Sequence, residues 1–250
     1  TLKRNYRVLD DFEKQYLIFH FSERFNKIEN LDALVNGHFG WNFAKEIASL
    51  VSRPNEENLN LEKLSGCTES RTLPVLSAIT KEYRELLSEH NALDFSLIQT
   101  MMWELLKDDF VLNDLRRKIQ YLMIDEYQDT NRIQEQILLK LAAPKNRICV
   151  VGDDDQALYR FRGATVENIL RFQENFSKGE CKKIELNRNF RSHKDIISFY
   201  NKYMKTPWLA EDKDGGSGDW QGENGEVFRY DKTILHAKNT TEEQENYPGV

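Results

Sequence analysis

YLMIDEYQDTNRIQ (121–134) and VVGDDDQALYRFRGA (150–164) decide how this chain is read. Leu122, Met123 and Ile124 form a short apolar run that stops at Asp125 and Glu126, as a buried parallel strand does where its carboxyl end opens into a cleft. A second run, Ile148, Cys149, Val150 and Val151, stops at Gly152 and the acids Asp153, Asp154 and Asp155. Between them the pattern predicts a helix capped by Thr130 or Asn131, with Ile133, Ile137, Leu138 and Leu141 on its buried face and Pro144 as its stop. Further on, a helix over about 166–176, a strand around 183–186 and a helix capped by Ser192, with Asp195 at capping-box spacing, extend the alternation. Alternating strands and helices predict an α/β fold with a parallel sheet, whose ligands sit at the carboxyl ends of the strands.

Upstream, the first 120 residues read as helical. Phe12, Tyr16 and Phe19, then Leu76, Ile79, Tyr83 and Leu86, then Phe95, Ile98, Met102 and Leu105 recur at helical spacing and are expected to be core faces. Gly37, Gly40, Pro54 and several Asn between 36 and 66 predict turns and loops around a short helix near 43–51. Downstream of Met204 the sequence loosens. Gly215, Gly216, Ser217 and Gly218 read as a natural loop or an engineered linker, a short strand is expected within 225–234, and 239–250 is polar.

The chain has 250 residues, enough for one or two domains with sizeable cores, and 40% hydrophobic with 30% charged residues excludes wholesale disorder. Lys and Arg number 35 against 41 Asp and Glu, a net charge of −6. The excess belongs to the end: residues 210–250 hold 10 acids against 4 bases, and the preceding 209 hold 31 of each. A neutral body argues against a general polyanion-binding coat and leaves room for a local basic groove. Cys67, Cys149 and Cys181 lack paired spacing, so neither a disulfide framework nor a zinc site is expected, and reduced thiols in a cytoplasmic protein are the simpler reading. No apolar run reaches the roughly 20 residues of a membrane span, so no membrane association is expected.

The chemistry concentrates at the strand ends. In phosphoryl transfer one carboxylate holds Mg²⁺, usually through water, and a second positions the attacking water. Asp125 and Glu126 suit that division, although the dipeptide taken alone reads as a solvated acidic turn after a strand. Gln156 can hydrogen-bond a terminal phosphate or its attacking water. Tyr159 and Phe161 can stack on unpaired bases while Arg160 and Arg162 attract backbone phosphate. The same residues also suit a plain strand–loop–helix connection, aromatics packed and arginines paired with aspartates. In LNRNFRS (186–192), Arg191 can clamp a transferring phosphate and Phe190 can cover a base; Arg188 is read as neutralising nearby carboxylates.

Together these three stretches resemble motifs II, III and IV of the UvrD/Rep/PcrA family of superfamily 1 DNA helicases, in order and in spacing. ALDFSLI (92–98) resembles a segment that precedes motif II, and the helical N-terminal part fits the family's inserted helical subdomain. Those helicases are ATP-driven translocases that move 3′ to 5′ on single-stranded DNA and unwind duplexes. The resemblance therefore implies a partial RecA-like parallel sheet of P-loop NTPase type with a helical inserted subdomain. Its expected parts are a mainly helical subdomain over 1–118, an ATPase core portion over 119–190, and the start of a second motor domain with linker and tail over 191–250.

Carried over residue by residue, the resemblance implies that Asp125 holds Mg²⁺, Glu126 is the general base for water attack on ATP, Gln156 senses the γ-phosphate and Arg191 contacts it. Phe190 stands where a Tyr usually stacks on adenine. Tyr159 and Phe161 touch DNA bases, Phe161 replacing the more usual Trp; Arg160 lies beside them on the DNA, and Arg162 organises the acidic site. ATP and Mg²⁺ are the implied ligands, single-stranded and duplex DNA the implied partners, and DNA repair or recombination the implied setting. No GxxxxGK[ST] occurs in the 250 residues. The P-loop's amide cradle, Lys and Ser/Thr are thus not among them, and the chain is expected to be an internal part of a helicase, beginning after the P-loop, shortened near Gly215 and inactive alone. Two other readings stand beside it: a non-catalytic DNA-binding or partner-docking module, and, more remotely, a metal-dependent nuclease built on Asp153, Asp154 and Asp155.

Overall fold

Strand β1 (Arg7–Leu9) leads into helix α1 (Asp11–His20) through a capping box in which Asp10 accepts the Glu13 N–H at 2.7 Å and Glu13 accepts the Asp10 N–H at 3.2 Å. The short helix α2 (Ser22–Phe25) follows, then α3 (Trp41–Glu56), α4 (Leu61–Ser65) and α5 (Thr72–Glu89). Strand β2 (Ala92–Asp94) then pairs with β1 in parallel, Arg7 opposite Ala92 and Leu9 opposite Asp94. After it come α6 (Phe95–Leu105), α7 (Asp109–Lys118), β3 (Leu122–Ile124), α8 (Arg132–Ala142) and β4 (Ile148–Val150). The computed structural model describes residues 5–156, 166–204, 220–221, 227–229 and 232–236. They fall into two compact units, the first running to Asp153 and the second comprising 154–156 and the residues from Val166 onward. The architecture is mixed α/β, mostly helical, with small two-stranded sheets.

In the first unit, α3 is the central helix, flanked by α1, α5 and α6. Phe43, Ile47 and Val51 of α3 close against Ile18, Ile79, Tyr83, Leu86 and Leu87, all fully or almost fully buried. The expected loop at Pro54 is absent, because α3 runs through it. Pro54 and Asn55 are both buried, and the Asn55 amide donates to Ser96 Oγ at 3.1 Å, so tertiary packing outweighs the lost helical N–H. Of the α5 stripe, Ile79, Tyr83 and Leu86 are core as expected and Leu76 is half-buried, but the aromatic row of α1 is not core. Phe12, Tyr16 and Phe19 are exposed, Phe12 and Phe19 lying beside the Trp41 ring, while α1 turns Lys14 and Ile18 inward. Phe95 and Leu105 are likewise exposed; α6 inserts Leu97 and Met102, and Leu106 follows it into a smaller cluster with Leu112 and Leu141.

A buried ion pair organises this unit. Lys14 and Asp94, 5% and 3% exposed, meet at 3.1 Å. The Tyr83 hydroxyl donates to Asp94 Oδ2 at 3.1 Å, and Ser96 Oγ and the Leu97 N–H donate to Oδ1 at 3.0 and 2.8 Å. Asp94 thereby ends β2, caps α6 and anchors α1 and α5 at once. Lys14 also donates to Ser52 of α3.

Strands β3 and β4 pair in parallel, Leu122 opposite Ile148 and Ile124 opposite Val150. Both fall where the sequence places them, but they are not buried on both faces. Leu122 joins the Leu106–Leu112–Leu141 cluster on one side, whereas Met123 is 82% exposed and Cys149 is exposed on the other. A ladder of two strands packs one face only among the described residues. Helix α8 is capped by Asn131, which makes a full capping box with Gln134, and ends before Pro144.

In the second unit, the helix expected over 166–176 is broken into α9 (Glu167–Leu170) and a 3₁₀ turn at Phe172–Asn175. No strand forms at 183–186, where Ile184 and Leu186 are exposed; the pairing falls later, at β5 (Arg188–Asn189). Helix α10 (Lys194–Met204) starts one residue beyond the expected place. Asn189 Oδ1 takes the N–H of Ser192 in a tight turn, and His193 Nδ1 accepts the Asp195 N–H at 3.3 Å, so His193 caps in place of Ser192. Strands β6 (Trp220–Gln221) and β7 (Val227–Arg229) pair antiparallel, and β8 (Leu235–His236) pairs parallel with β5. The stretch at 215–218 and residues 237–250 lie outside the described residues.

Lys14→Met should lower stability by about 3–5 kcal/mol, because it strands the Asp94 carboxylate without its cation. Combining it with Asp94→Leu should recover part of the loss. Chemical denaturation of the three variants measures both effects; an additive double variant would show that the two charges are not coupled.

Candidate nucleotide site at the carboxyl ends of β3 and β4

The chain turns sharply where β3 ends. Val151 N donates to Ile124 O at 2.8 Å and Tyr127 N donates to Val151 O at 2.9 Å, so the β3–β4 ladder is continued across the turn that carries Asp125 and Glu126. Glu126 takes a left-handed backbone, φ 51° and ψ 42°, which costs a residue with a Cβ of order 1 kcal/mol or more. This kink lets two consecutive carboxylates leave the same strand end. Both are exposed, and Asp125 Oδ1 accepts the Glu126 N–H at 3.0 Å.

Behind them sits a residue that sequence reasoning passed over. Gln128 is 1% exposed; its Nε2 donates to Glu126 Oε2 at 2.7 Å and its Oε1 accepts the Asp153 N–H at 3.0 Å. A buried amide thus ties the Glu126 carboxylate to the loop after β4. Its only signal in the sequence is its place two residues after Glu126. Tyr127, fully buried, donates to Glu135 of α8 at 3.1 Å, and burial with the neighbouring Glu135 charge pushes its phenol far above the ordinary range, keeping it a donor. Thr130 closes the turn by donating to Tyr127 O at 2.7 Å, and the Asn131 amide donates to Gln99 of α6 at 2.8 Å.

The donor set fits a hydrated Mg²⁺, a hard cation that takes carboxylate oxygens and keeps several waters. Asp125 offers an exposed carboxylate, and in the same turn Asp129 Oδ1 is buried with no hydrogen-bond partner among the described residues, a group that a water held by such an ion can satisfy. No group of three or more His, Cys, Asp or Glu poised for a metal occurs among the described residues.

Of the other sequence-predicted residues, Gln156 is exposed at the end of a 3₁₀ turn in the second unit. Its neighbours are engaged: Lys232 reaches Asp154 at 2.6 Å and Asp155 at 3.1 Å, and Tyr200 donates to Asp155. This ion pairing weakens the nuclease reading of those acids. Phe190 and Arg191 are exposed at the tight turn between β5 and α10, where Asn189 Oδ1 accepts the Arg191 N–H at 2.8 Å. Tyr159, Arg160, Phe161 and Arg162 lie outside the described residues.

Gln128→Leu should cost about 1–3 kcal/mol, since it removes the acceptor of the Asp153 N–H and the donor to Glu126 in a buried setting. The denaturation midpoint of the purified variant checks this, and an unchanged midpoint would mean that the amide bridge carries no stability.

A family model described as UvrD/REP helicase N-terminal domain matches residues 1–177. The ATP-dependent DNA helicase PcrA of Bacillus subtilis strain 168 is 35% identical over 162 residues, 64% of this chain and 22% of that protein. PcrA of Staphylococcus aureus strain NCTC 8325 is 30% identical over 231 residues, 92% of this chain and 30% of that protein. PcrA of Staphylococcus epidermidis strain ATCC 12228 is 39% identical over 132 residues, 52% of this chain and 18% of that protein. The chain thus spans less than a third of the length of these relatives. With its family match running from the helical first unit through both acid-bearing strand ends, the chain belongs to the UvrD/REP helicase family.

Proposed function

We propose that this chain is the part of an ATP-driven DNA helicase that supplies the water-activating and ion-holding carboxylates of the motor. The observation that carries this reading is Glu126, held in left-handed backbone at a strand end with one carboxylate oxygen fixed by buried Gln128 and the side chain open to solvent. Asp125 would hold magnesium, which when bound would neutralise phosphate charge. Glu126 Oε2 is engaged by Gln128, which leaves Oε1 to accept the proton of the attacking water as its oxygen bonds to the γ-phosphorus and the bond to the leaving ADP oxygen breaks. By motif match, Gln156 senses the γ-phosphate, Arg191 stabilises its developing charge, and Phe190 stacks on the adenine. On the same ground Tyr159 and Phe161 stack on bases of single-stranded DNA and Arg160 meets its phosphates.

In this reading the organisation is a helical inserted subdomain over 1–118, a portion of a RecA-like sheet over 119–190 and the beginning of a second motor domain from 191. The setting is DNA repair or recombination in the cytoplasm. The phosphate cradle comes from outside these 250 residues, so the polypeptide alone holds half of a nucleotide site.

Phosphate release by the 250-residue polypeptide with Mg²⁺-ATP and single-stranded DNA should stay at the background rate; sustained turnover would contradict the half-site. In a full-length protein carrying this chain, Glu126→Gln should lower kcat by about a hundredfold or more while leaving nucleotide binding intact, because only the proton acceptor is lost. Near-normal turnover of that variant would remove Glu126 from the base role.

A further inference from the structure

At the other end of the same strands lies a concavity of about 650 Å³, between the last turn of α7 and the connection from α8 to β4. It is the amino end of β3 and β4, where Leu122 N donates to Arg147 O at 3.0 Å, remote along the strands from Asp125 and Glu126. We propose that this groove docks an acidic peptide segment that carries apolar anchor side chains.

Charge is the first argument. Arg116, Arg117, Lys145 and Arg147 line the groove, and none of its lining residues is a carboxylate. Part of this charge has a structural task. Arg116 donates to Lys140 O at 3.2 and 2.6 Å, satisfying a carbonyl at the end of α8, and Arg117 pairs with Asp114 at 3.2 Å on the rim. Lys145 and Arg147 lie beyond the helix ends and are exposed, where neither capping nor the helix dipole calls for them. In a body whose first 209 residues balance 31 acids against 31 bases, a concave site lined by four cations and no acid is a local feature of the surface that favours anions.

The floor is the second argument, and it separates a peptide from a nucleic acid. It is aliphatic, made by Leu122, Leu141 and Ala142, with the Pro144 ring beside it. The walls are aromatic: Phe110 and Tyr121 are 79% and 71% exposed. One face of Tyr121 is covered by the Arg147 guanidinium, 5.1 Å from the ring centre, which leaves less ring surface for stacking bases. An apolar floor under cationic edges instead matches Leu or Phe side chains projecting from an acidic segment, the anchor-and-rim arrangement of peptide grooves.

The test uses fluorescence anisotropy with the 250-residue chain. The ligand is a labelled peptide of about 16 residues that alternates Glu and Asp with Leu and Phe, beside a version with Ser for every Leu and Phe and an oligo-dT of similar length. The acidic–apolar peptide should bind, weaken as salt rises, and lose affinity at least about tenfold on Lys145→Glu with Arg147→Glu. The Ser version should bind much more weakly, and oligo-dT binding should be untouched by the double reversal. Lys145→Gln with Arg147→Gln, a milder change at two exposed positions, should give an intermediate loss with an unchanged circular dichroism spectrum. No binding of the peptide, equal binding of the Ser version, or affinity indifferent to both double variants would overturn the proposal. Loss of oligo-dT binding alone on charge reversal would assign the groove to nucleic acid instead.

Discussion

One buried amide fixes the acid-bearing turn at the end of β3. Gln128 spends its donor on the Glu126 carboxylate and its acceptor on the backbone after β4, so the position of that carboxylate is tied to the pairing of two parallel strands. Were β3 and β4 out of register by one residue, Met123 would exchange faces with Leu122 and Ile124, and the acids would no longer leave the ladder where the amide can reach them. Strand pairing, a left-handed turn and one satisfied side chain act as a single constraint. An exposed carboxylate alone is a solvated charge; held this way it has a fixed direction.

The scaffold behind it repeats the device on a larger scale. Asp94 ends β2, caps α6, and receives Lys14 and Tyr83 from two other helices. From α6, Gln99 passes the constraint to the cap of α8 through Asn131, and α8 runs between the two strands that bear the site. The helices of the first unit and the candidate site are thus joined by polar contacts as well as by packing. Such contacts set angles that interchangeable apolar contacts leave loose.

Much of this was legible before any coordinates. Apolar runs that halt at acids mark strand ends because a buried strand cannot continue through charges, and 122–124 and 148–150 fell accordingly. The cap of α8 could be narrowed to Thr130 or Asn131 because capping is local chemistry within four residues, and the fold selects Asn131. Burial was less legible. Phe12, Tyr16 and Phe19 repeat at helical spacing yet face outward, because the groove beneath α1 admits Lys14 to its ion pair and Ile18 to the core, a choice made by the partners rather than by α1. The strands at Arg7–Leu9 and Ala92–Asp94 are too short to show a period and exist through pairing across some 80 residues. Gln128 was hidden for a related reason: a polar residue among acids looks solvated, and only the fold reveals what it faces. The missing strand at 183–186 shows the reverse error, β-prone residues that find no neighbour to pair with.

The account stands or falls on where a magnesium-nucleotide meets this chain. The most direct measurement replaces Mg²⁺ by paramagnetic Mn²⁺ in the ADP-loaded full-length protein and follows relaxation of isotope-labelled backbone amides. The account predicts strong nucleotide-dependent broadening at 125–128, with the amides of α1 and α5 unaffected. Broadening that leaves 125–128 sharp would show that the acids closing β3 do not face the nucleotide.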